Sequence, residues 1–479
     1  MLSLALLLSC FAFQQDPAST QEPASTTQPA SEQRPNIIFI MADDLGREWI
    51  PLYGGSEAEM PHLDRLAESG MTFKNAYATP LCIPSRISLL TGQYPYRHGW
   101  INHWEVNQWG NGFHFDPEEY LTLANLLRDS GYATAIAGKW QVNDLRVQPN
   151  ILDDHGFEEW CVWPGYQPDT PPSANRYWNP YLQTASGSNI YKGEFSTDIF
   201  VDFLLEFMDR NRDRPNFLYF PMCLPHFPFT STPHDRESVS RMDRHRAMVQ
   251  YVDHALGRIV QGLEEDGHLE NSIIIFTTDN GSPNLLNARV SDYKIKGGKG
   301  RLRDSGCGAA LVVSGQGRVT ANSQTEELVD FTDFLPTLLE LAGTALPEQS
   351  IVDGQSFAGL LTGDQDFQGR DWIMAMGSGR NARYVDGKVV PFRTYENRCL
   401  RDHRFKLWIE EGEPTRLFDL QEDPLEKTNL IGSEEEHHMA AREKLIKIAS
   451  TFPAKDSAPR YTPTPEQEWD LKDREIPKD

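Results

Sequence analysis

The chain has 479 residues, enough to bury a large core and to form more than one domain. A hydrophobic fraction of 39% and a charged fraction of 24% are typical of a globular protein. The 69 acidic residues outnumber the 45 basic ones, and the net charge of -24 excludes nucleic acid as a partner because no broad basic surface is available. An anionic substrate would therefore need a local cationic site.

The amino-terminal segment, residues 1–13, is predicted to be an export signal, since its apolar stretch is too short to span a bilayer. Its Leu7-Leu8-Ser9-Cys10 resembles a bacterial lipobox, in which Cys10 would carry a lipid; ordinary signal-peptidase cleavage is the alternative. Residues 14–34 repeat Pro-Ala-Ser-Thr and predict an extended, disordered tether. We therefore expect a periplasmic, outer-membrane lipoprotein or secreted protein that contacts a membrane only through this anchor.

Apolar runs predict strands buried on both faces, as in a parallel sheet covered by helices, at residues 36–41, 133–137, 217–220 and 272–277. Helical patterns alternate with them, at residues 123–127 and 248–263. This alternation predicts an α/β doubly wound fold, with a mixed, mostly parallel sheet flanked by helices, over residues 35–365.

Residues 366–452 have a different pattern and predict a smaller C-terminal domain. Short strands within 398–408 and 417–420 precede a charged helix, for which Ser433 and Glu436 have the spacing of a capping box. We expect an antiparallel sheet packed with one helix. The Pro-rich residues 453–479 predict an extended polar tail.

The segment Cys82-Ile83-Pro84-Ser85-Arg86 predicts the start of a helix. Pro84 suits the first helical position, which places Cys82 at or near the positive end of the helix dipole, where an anion is favoured. Arg86, about one turn along, adds a cation suited to a tetrahedral oxyanion. A structural thiol buried beneath the helix is the alternative.

Polar side chains follow two of the predicted strands directly: Asp43 and Asp44 the first, Asp279 and Asn280 the fourth. Ligands of open parallel sheets bind at the carboxyl ends of strands. Either pair alone could be a helix cap or a turn. Together their oxygen donors predict a site for Ca²⁺ or Mg²⁺ rather than zinc.

Three further polar side chains, Lys139, His226 and Lys299, lie beyond predicted strands or in a glycine-rich segment. Each alone would be a solvated charge or an ordinary hydrogen-bonded histidine. The glycines beside Lys299 would let the backbone approach a ligand closely.

Together these segments resemble the type I sulfatases of the alkaline phosphatase superfamily. Residues 82–92 match the signature C-x-P-S-R-x-x-x-x-T-G, while residues 35–46 and 278–281 are similar to the family's two metal-binding motifs. Further family landmarks follow in order as far as residue 435. A coincidence of so many motifs is far more specific than any one of them.

The resemblance implies that Cys82 is converted to formylglycine by a formylglycine-generating or radical maturation enzyme, and that the hydrated aldehyde attacks sulfur. It implies a metal, Ca²⁺ rather than the less favoured Mg²⁺, bound by Asp43, Asp44, Asp279, Asn280 and the modified Cys82. Arg86 would stabilise charge on the nucleophile and sulfate, and the sulfate oxygens would be bound by Lys139, His226 and Lys299. His226 or Lys299 would protonate the departing alcohol.

The clearest departure from the family is Gln141, which replaces the histidine of the motif G-K-W-H. That histidine contacts the formylglycine hydroxyl and can accept its proton, whereas a glutamine can hydrogen-bond but cannot act as a general base. Residues 304–310 also depart from the motif E-G-G-x-R-V-P, in a structural stretch.

We expect an exported sulfatase that acts on a sulfated small molecule or glycan. The alternatives are a phosphatase or phosphonate monoester hydrolase on the same fold, and a non-catalytic binder of sulfated glycans that lost turnover through Gln141. Retention of Cys82, the metal ligands and both lysines argues against the binder.

Two features stay open. The cysteines outside the signal and the signature could form disulfides or remain buried thiols: Cys161, Cys223, Cys307 and Cys399. An aromatic-rich insert could be a sugar-stacking wall or the core of a loop, and we favour the core. Its aromatic residues are Trp160, Trp163, Tyr166, Tyr177, Trp178 and Tyr181.

Overall fold

The computed structural model describes residues 33–102, 112–165, 175–377, 382–385, 388–391 and 393–469. The predicted export signal with Cys10, most of the tether and Tyr166 lie outside the described residues. Within these ranges, no helix has the length and apolar character needed to cross a membrane.

The strands, in chain order, are β1 (Asn36–Ala42), β2 (Gly70–Tyr77), β3 (Ala133–Lys139), β4 (Glu159–Trp163), β5 (Tyr181–Thr184), β6 (Gly187–Ile190), β7 (Asn216–Pro221), β8 (Ser272–Thr278), β9 (Asn287–Val290), β10 (Tyr293–Lys296), β11 (Gly308–Ala309), β12 (Leu311–Ser314), β13 (Ser323–Asp330), β14 (Ile373–Met376), β15 (Ala382–Val385), β16 (Lys388–Pro391), β17 (Arg398–Arg401), β18 (Phe405–Glu410) and β19 (Glu413–Asp419).

The α-helices are α1 (Pro61–Glu68), α2 (Cys82–Thr91), α3 (Pro95–His98), α4 (Leu123–Asp129), α5 (Ile151–Asp154), α6 (Ser196–Arg210), α7 (Arg241–Glu265), α8 (Asp304–Cys307), α9 (Phe334–Leu341), α10 (Ala358–Thr362) and α11 (Glu436–Ala449). Short 3-10 turns occur at Arg47–Trp49, Pro51–Tyr53, Leu269–Asn271 and Phe331–Asp333.

The main sheet has 11 strands in the order β11-β2-β12-β8-β1-β7-β3-β4-β5-β6, with β13 also paired to β2. Parallel pairing runs through the centre, from β8 across β1, β7 and β3 to β4, and recurs between β13 and β2. The flanking pairs are antiparallel. The predicted mixed α/β sheet is therefore confirmed, with its parallel part at the centre.

Strand β1 explains why this sheet has a core on both faces. Its alternate residues Ile37 and Phe39 belong to one hydrophobic cluster with side chains of α2, α4 and α9. Ile38 and Ile40 belong to another cluster with side chains of α1, α6 and α7. All four side chains are inaccessible to solvent. An uninterrupted apolar run is what a strand covered on both sides requires.

A smaller antiparallel sheet, β14-β17-β18-β19, contacts α11, which confirms the smaller sheet expected in the C-terminal region. The division into domains at residue 365 stays a prediction. The capping box is wrong: α11 begins at Glu436, its N-cap residue is Glu435, and no side chain caps it. Ser433 lies two residues before this N-cap, and its hydroxyl contacts His438 Nδ1 at 2.8 Å instead.

Residues 453–469 contain no helix or strand and lie along the main body as an extended segment, which we call the C-terminal strap. Asp456 accepts hydrogen bonds from the buried Arg398 at 2.6 and 2.8 Å. Further along, Trp469 Nε1 donates a hydrogen bond to Asp144 at 2.9 Å. Asp144 is the third residue after Gln141. The extended tail stays a prediction, and its described part contacts the rest of the protein near both of its ends.

Candidate active site

Helix α2 presents Cys82 as its first residue, and Leu81 precedes it in an extended conformation. Pro84 is therefore the third helical residue, whereas the sequence predicted that it would be the first. A proline is tolerated there because the first-turn N–H groups have no partner within the helix. The Cys82 side chain is fully buried at the positive end of the helix dipole, as expected.

Ser85 fixes the start of α2 against the end of β8. Its hydroxyl lies 2.7 Å from the Asp279 carbonyl oxygen and accepts a hydrogen bond from the Thr79 N–H at 3.1 Å. Ser85 belongs to the signature segment, but its role in fixing the helix start was not predicted from the sequence. A polar side chain in an otherwise apolar first turn was the available signal.

The predicted metal ligands do come together, because β1 and β8 are parallel neighbours with Ala42 opposite Thr278. The Asp44 N–H donates to Asp279 Oδ1 at 3.0 Å, and Asn280 Nδ2 donates to Asp44 Oδ1 at 2.9 Å. All four side chains, those of Asp43, Asp44, Asp279 and Asn280, are buried.

Two oxygens in this cluster, Asp43 Oδ1 and Asn280 Oδ1, are buried and accept no hydrogen bond from the residues that the structure describes. Single ligand atoms of Asp43, Asp279 and Cys82 lie within 4.8 Å of one another. Buried oxygens without donors are costly unless a cation binds them. The donor set therefore fits a hard divalent cation.

Each of three buried or half-buried cations pairs with one of these carboxylates. Lys139 Nζ lies 2.8 Å from Asp43 Oδ2, Lys299 Nζ 2.7 Å from Asp44 Oδ2, and Arg86 Nη2 2.8 Å from Asp279 Oδ2. Lys139 Nζ also lies 3.4 Å from Cys82 Sγ. Burial lowers the pKa of Lys299, but the surrounding acidic groups, Asp44 first among them, together raise it above its usual range, so the ammonium stays charged.

The carboxylates differ in how the site affects their protonation. Burial raises the pKa of Asp43, but the neighbouring cations, Lys139 first among them, lower it below its usual range. Burial and the adjacent Asp43 carboxylate raise the pKa of Asp279 well above its usual range, although Arg86 opposes this. Burial and mutual repulsion thus disfavour the ionised form of Asp279, and a cation bound among these carboxylates would favour it, which agrees with a metal site.

His226 borders the site beside Asp44, and the distance between His226 Nε2 and Asp44 Oδ2 is 3.5 Å. Burial lowers the pKa of His226 to about 3, because the carboxylate does not compensate for the lost hydration. Its other ring nitrogen, Nδ1, lies 2.8 Å from Arg176 Nη1. Arg176 belongs to the aromatic insert and was not singled out from the sequence, where no motif surrounds it.

Gln141 lies just beyond β3, two residues after Lys139. Its backbone is left-handed, with φ of 63°, and so is that of Asp44. Such a conformation costs a residue with a side chain about 1–2 kcal/mol, and it is common at functional sites. The Gln141 Oε1 atom is buried, and no described residue donates a hydrogen bond to it. Its catalytic role stays a prediction.

Two glycines allow close backbone approach beside the lysines. Gly138 has φ of +127°, and a Cβ there would lie 2.1 Å from the Pro221 carbonyl oxygen. A Cβ on Gly298, next to Lys299, would lie 2.5 Å from Gly306 N. The glycine next to Lys299 therefore allows another part of the protein's own backbone to approach closely. The sequence had instead predicted a close approach to a ligand.

The aromatic insert is mainly core. Trp160, Trp163, Tyr177 and Tyr181 are buried, while Trp178 is partly exposed. The cysteines left open by the sequence are free and buried, namely Cys161, Cys223, Cys307 and Cys399. A sugar-stacking wall made of these buried rings is not supported.

Cavity size alone does not locate the site. A cavity of about 750 Å³ lies at the opposite edge of the sheet, beside the first residues of β8 and the last residue of β12. Its lining includes none of the cations or carboxylates described above. The cluster of charged side chains at the carboxyl ends of the strands therefore indicates the active site better than the size of a cavity does.

Comparisons with known proteins agree with this geometry. A profile of the sulfatase family matches residues 35–344, and one described as N-sulphoglucosamine sulphohydrolase, C-terminal, matches residues 301–450. N-acetylgalactosamine-6-sulfatase of Canis lupus familiaris is 30% identical over 361 residues, which cover 70% of this chain and 67% of that protein. N-acetylgalactosamine-6-O-sulfatase of Bacteroides thetaiotaomicron is 27% identical over 471 residues, covering 83% and 90%.

Among solved structures, Ps i-CgsB is similar with a TM-score of 0.73 and 24% identity, over 90% of this chain and 95% of that one. This likeness supports the fold. The sulfatase profile spans well over half of the 479 residues. The chain therefore belongs to the type I sulfatase family of the alkaline phosphatase superfamily, and it is a sulfuric ester hydrolase.

Proposed function

We propose that this protein is an exported sulfatase that hydrolyses sulfate esters of carbohydrates, with Cys82 as the precursor of its nucleophile. One observation carries the proposal: Cys82 Sγ, at the start of α2, lies 3.4 Å from Lys139 Nζ and within 4.8 Å of ligand oxygens of Asp43 and Asp279. A thiol that only filled space would not need buried charges around it, because burying charges is costly.

The nucleophile requires a modification of Cys82. A maturation enzyme supplied by the host would oxidise its side chain to the aldehyde of formylglycine, whose hydrate supplies a hydroxyl nucleophile. Negative charge at this position is stabilised by the N-terminus of α2 and by Arg86. Lys139 places a second cation on the same side.

The cation would be Ca²⁺, with Mg²⁺ less favoured, and it would be held by Asp43, Asp44, Asp279, Asn280 and the modified Cys82. When bound, it supplies positive charge against the nucleophile and the sulfate. The three carboxylates balance Arg86, Lys139 and Lys299 in charge. A divalent cation would thus make the site net positive, which favours an anionic sulfate in a protein of net charge -24.

The remaining steps fall to side chains beyond the metal ligands. Lys139, Lys299 and His226 bind the sulfate oxygens, and His226 or Lys299 gives a proton to the departing alcohol. Gln141 hydrogen-bonds the second hydroxyl of the hydrate, without acting as a general base. Release of sulfate therefore needs a base other than Gln141.

The relatives' names support the substrate class. Both are named for the 6-sulfate of N-acetylgalactosamine, so we propose a sulfated carbohydrate as substrate. The apolar residues 1–13 support export, by a free or a lipid-anchored route at Cys10.

The activity is tested by measuring inorganic sulfate released from a panel of sulfated glycans and from an aryl sulfate, with natively expressed protein. We expect release from at least one glycan, loss of activity to background in Cys82→Ala, and retained turnover in the matched control Cys161→Ala, which removes another buried thiol. Equal activity of the Cys82 variant would overturn the proposal. Faster hydrolysis of an aryl phosphate would identify a phosphatase, and tight glycan binding without release would identify a binder.

The modification is tested separately by mass spectrometry of the peptide that contains Cys82. We expect the mass of the formylglycine form in active protein. An unmodified thiol in fully active, natively expressed protein would refute the formylglycine mechanism.

A further inference from the structure

Arg176 lies beside the active site on the far side of His226 from the metal ligands. His226 Nε2 faces Asp44 Oδ2 at 3.5 Å, while Nδ1, on the other side of the ring, lies 2.8 Å from Arg176 Nη1. His226 is one of the two groups proposed to protonate the departing alcohol. Arg176 is therefore separated from the metal ligands by the His226 ring, on the side where we expect the alcohol part of the substrate to lie.

The Arg176 guanidinium is held in place by its surroundings. Its Cζ atom lies over the buried Trp163 ring, 4.0 Å from the ring centroid. The next residue, Tyr177, is buried, and its hydroxyl lies within hydrogen-bond distance of the carbonyl oxygens of Cys223 and His226, to one of which it donates at a time. A cation stacked on an aromatic ring and tied to the loop of His226 has lost most of its conformational freedom before any ligand arrives.

The contact with His226 does not prevent Arg176 from donating hydrogen bonds to another group. His226 Nδ1 also lies 2.5 Å from the Phe227 carbonyl oxygen. A guanidinium can only donate and a carbonyl oxygen can only accept, so Nδ1 serves one of them at a time. Whichever of them Nδ1 serves, the contact with His226 involves Nη1, and the guanidinium has further N–H groups for another acceptor.

The charge of Arg176 also distinguishes it from the other cations nearby. Arg86, Lys139 and Lys299 each pair with a carboxylate of the site. Arg176 is partly exposed, and it has no ion pair with any carboxylate of the described residues. A preorganised guanidinium matches a planar carboxylate or a sulfate group through two parallel hydrogen bonds.

We propose that Arg176 binds a second anionic group of the substrate, on the alcohol side of the scissile sulfate ester. The inference rests on the proposed function and narrows its substrate class to sulfated glycans that carry a carboxylate or another sulfate close to the ester. Arg176 is thus a specificity-determining residue that sequence motifs do not reveal.

The test compares ligands that differ in one anionic group. N-acetylgalactosamine 6-sulfate carries none besides its ester, a chondroitin disaccharide 6-sulfate adds a uronic acid carboxylate, and D-glucosamine N,6-disulfate adds a sulfate. For each, kcat/KM for sulfate release is measured in the wild type, Arg176→Gln and Arg176→Lys. Arg236→Gln is the matched control, because Arg236 stacks on Trp178 of the same insert at 3.7 Å.

We expect Arg176→Gln to lower kcat/KM for at least one doubly anionic ligand about ten- to one-hundredfold more than for the singly anionic one, mainly through KM. Arg176→Lys should recover part of this difference, and Arg236→Gln should not produce it. The ligand that shows the difference identifies the group as a carboxylate or a sulfate. An equal loss for all three ligands would overturn the inference, since it would mean that Arg176 only positions His226.

If no ligand releases sulfate, the proposed function fails, but the inference is still decided by binding. Calorimetric titration of Cys82→Ala protein with the same three ligands, with and without Arg176→Gln, measures affinity independently of turnover. A selective loss of affinity for a doubly anionic ligand would support the subsite, and unchanged relative affinities would refute it. Far-ultraviolet circular dichroism and thermal unfolding of each variant establish that it is folded.

Discussion

The ion pair between Arg398 and Asp456 is the point at which the C-terminal strap can be tested most directly. The Arg398 side chain is fully buried, donates twice to Asp456 and stacks on Tyr395 at 3.7 Å. Asp456 also accepts from the Glu396 N–H at 2.6 Å. Asp456→Ala would leave a buried guanidinium without its carboxylate and a buried N–H without its acceptor.

Removing one partner of a buried ion pair costs about 3–5 kcal/mol, and losing the acceptor of a buried N–H adds about 1 kcal/mol. We therefore expect Asp456→Ala to lower the free energy of unfolding by about 4–6 kcal/mol if the strap unfolds with the body. If the strap detaches alone, the loss appears as faster trypsin cleavage at Lys455 or Arg460 in otherwise folded protein.

The matched control is Glu119→Ala, which removes an ion pair between the same strap and the body. Arg460 Nε lies 2.8 Å from Glu119 Oε2, and the two side chains are 45% and 43% exposed. Exposed pairs contribute about 0–1 kcal/mol. Urea unfolding and limited trypsin digestion of both variants check the argument. A loss below about 1 kcal/mol in Asp456→Ala, with no change in cleavage, would refute the role assigned to this pair.

Three further predictions concern the site and acid stability. Gln141→His should keep or raise the rate of sulfate release, because histidine supplies the missing base; a large loss would show that the second step is arranged differently. Calcium added at one hundred times its Kd should raise the unfolding free energy of chelator-treated wild type by about 2.7 kcal/mol, measured by thermal unfolding. Asp279→Asn should abolish this rise, and the exposed Asp366→Asn should retain it. Burial lowers the pKa of His155 to about 4, so the unfolded chain, with a pKa near 6.5, takes up its proton first as the pH falls. At pH 5 the wild type should thus lose about 2 kcal/mol more of unfolding free energy than His155→Gln, each relative to pH 8. Parallel losses in the two proteins would contradict that pKa.

The centre of the sheet was the most predictable part of the fold. Strands such as β1 and β8 are covered on both faces, so their sequences are continuously apolar, and the predicted limits agree with the structure within two residues. Strands β2 and β13 were missed, because their partial exposure permits polar residues such as Lys74 and Glu326. Their place in the sheet depends on pairing with each other and with neighbouring strands, which no local pattern specifies.

The site residues were predicted one at a time, but their contacts were not. Lys139 and Asp43 are 96 positions apart in the chain, and their pairing at 2.8 Å depends on the relative position of β1 and β3. The start of α2 was placed two residues late, because Pro84 also fits the third helical position. Arg176 has no surrounding motif, and only the stacking on Trp163 and the contact with His226 reveal it.

The strap has a consequence for the order in which the site can be completed. Asp43 and Asp44, which follow β1 directly, are near the beginning of the described chain, whereas Trp469, which donates to Asp144 just beyond Gln141, is its last described residue. A chain that emerges from a ribosome or a translocation channel in sequence order would thus expose Asp43, Asp44, Asp279 and Asn280 before Trp469 is available to contact the segment beyond Gln141. Nascent chains arrested at increasing lengths could show whether cation binding and turnover are gained at different stages of synthesis.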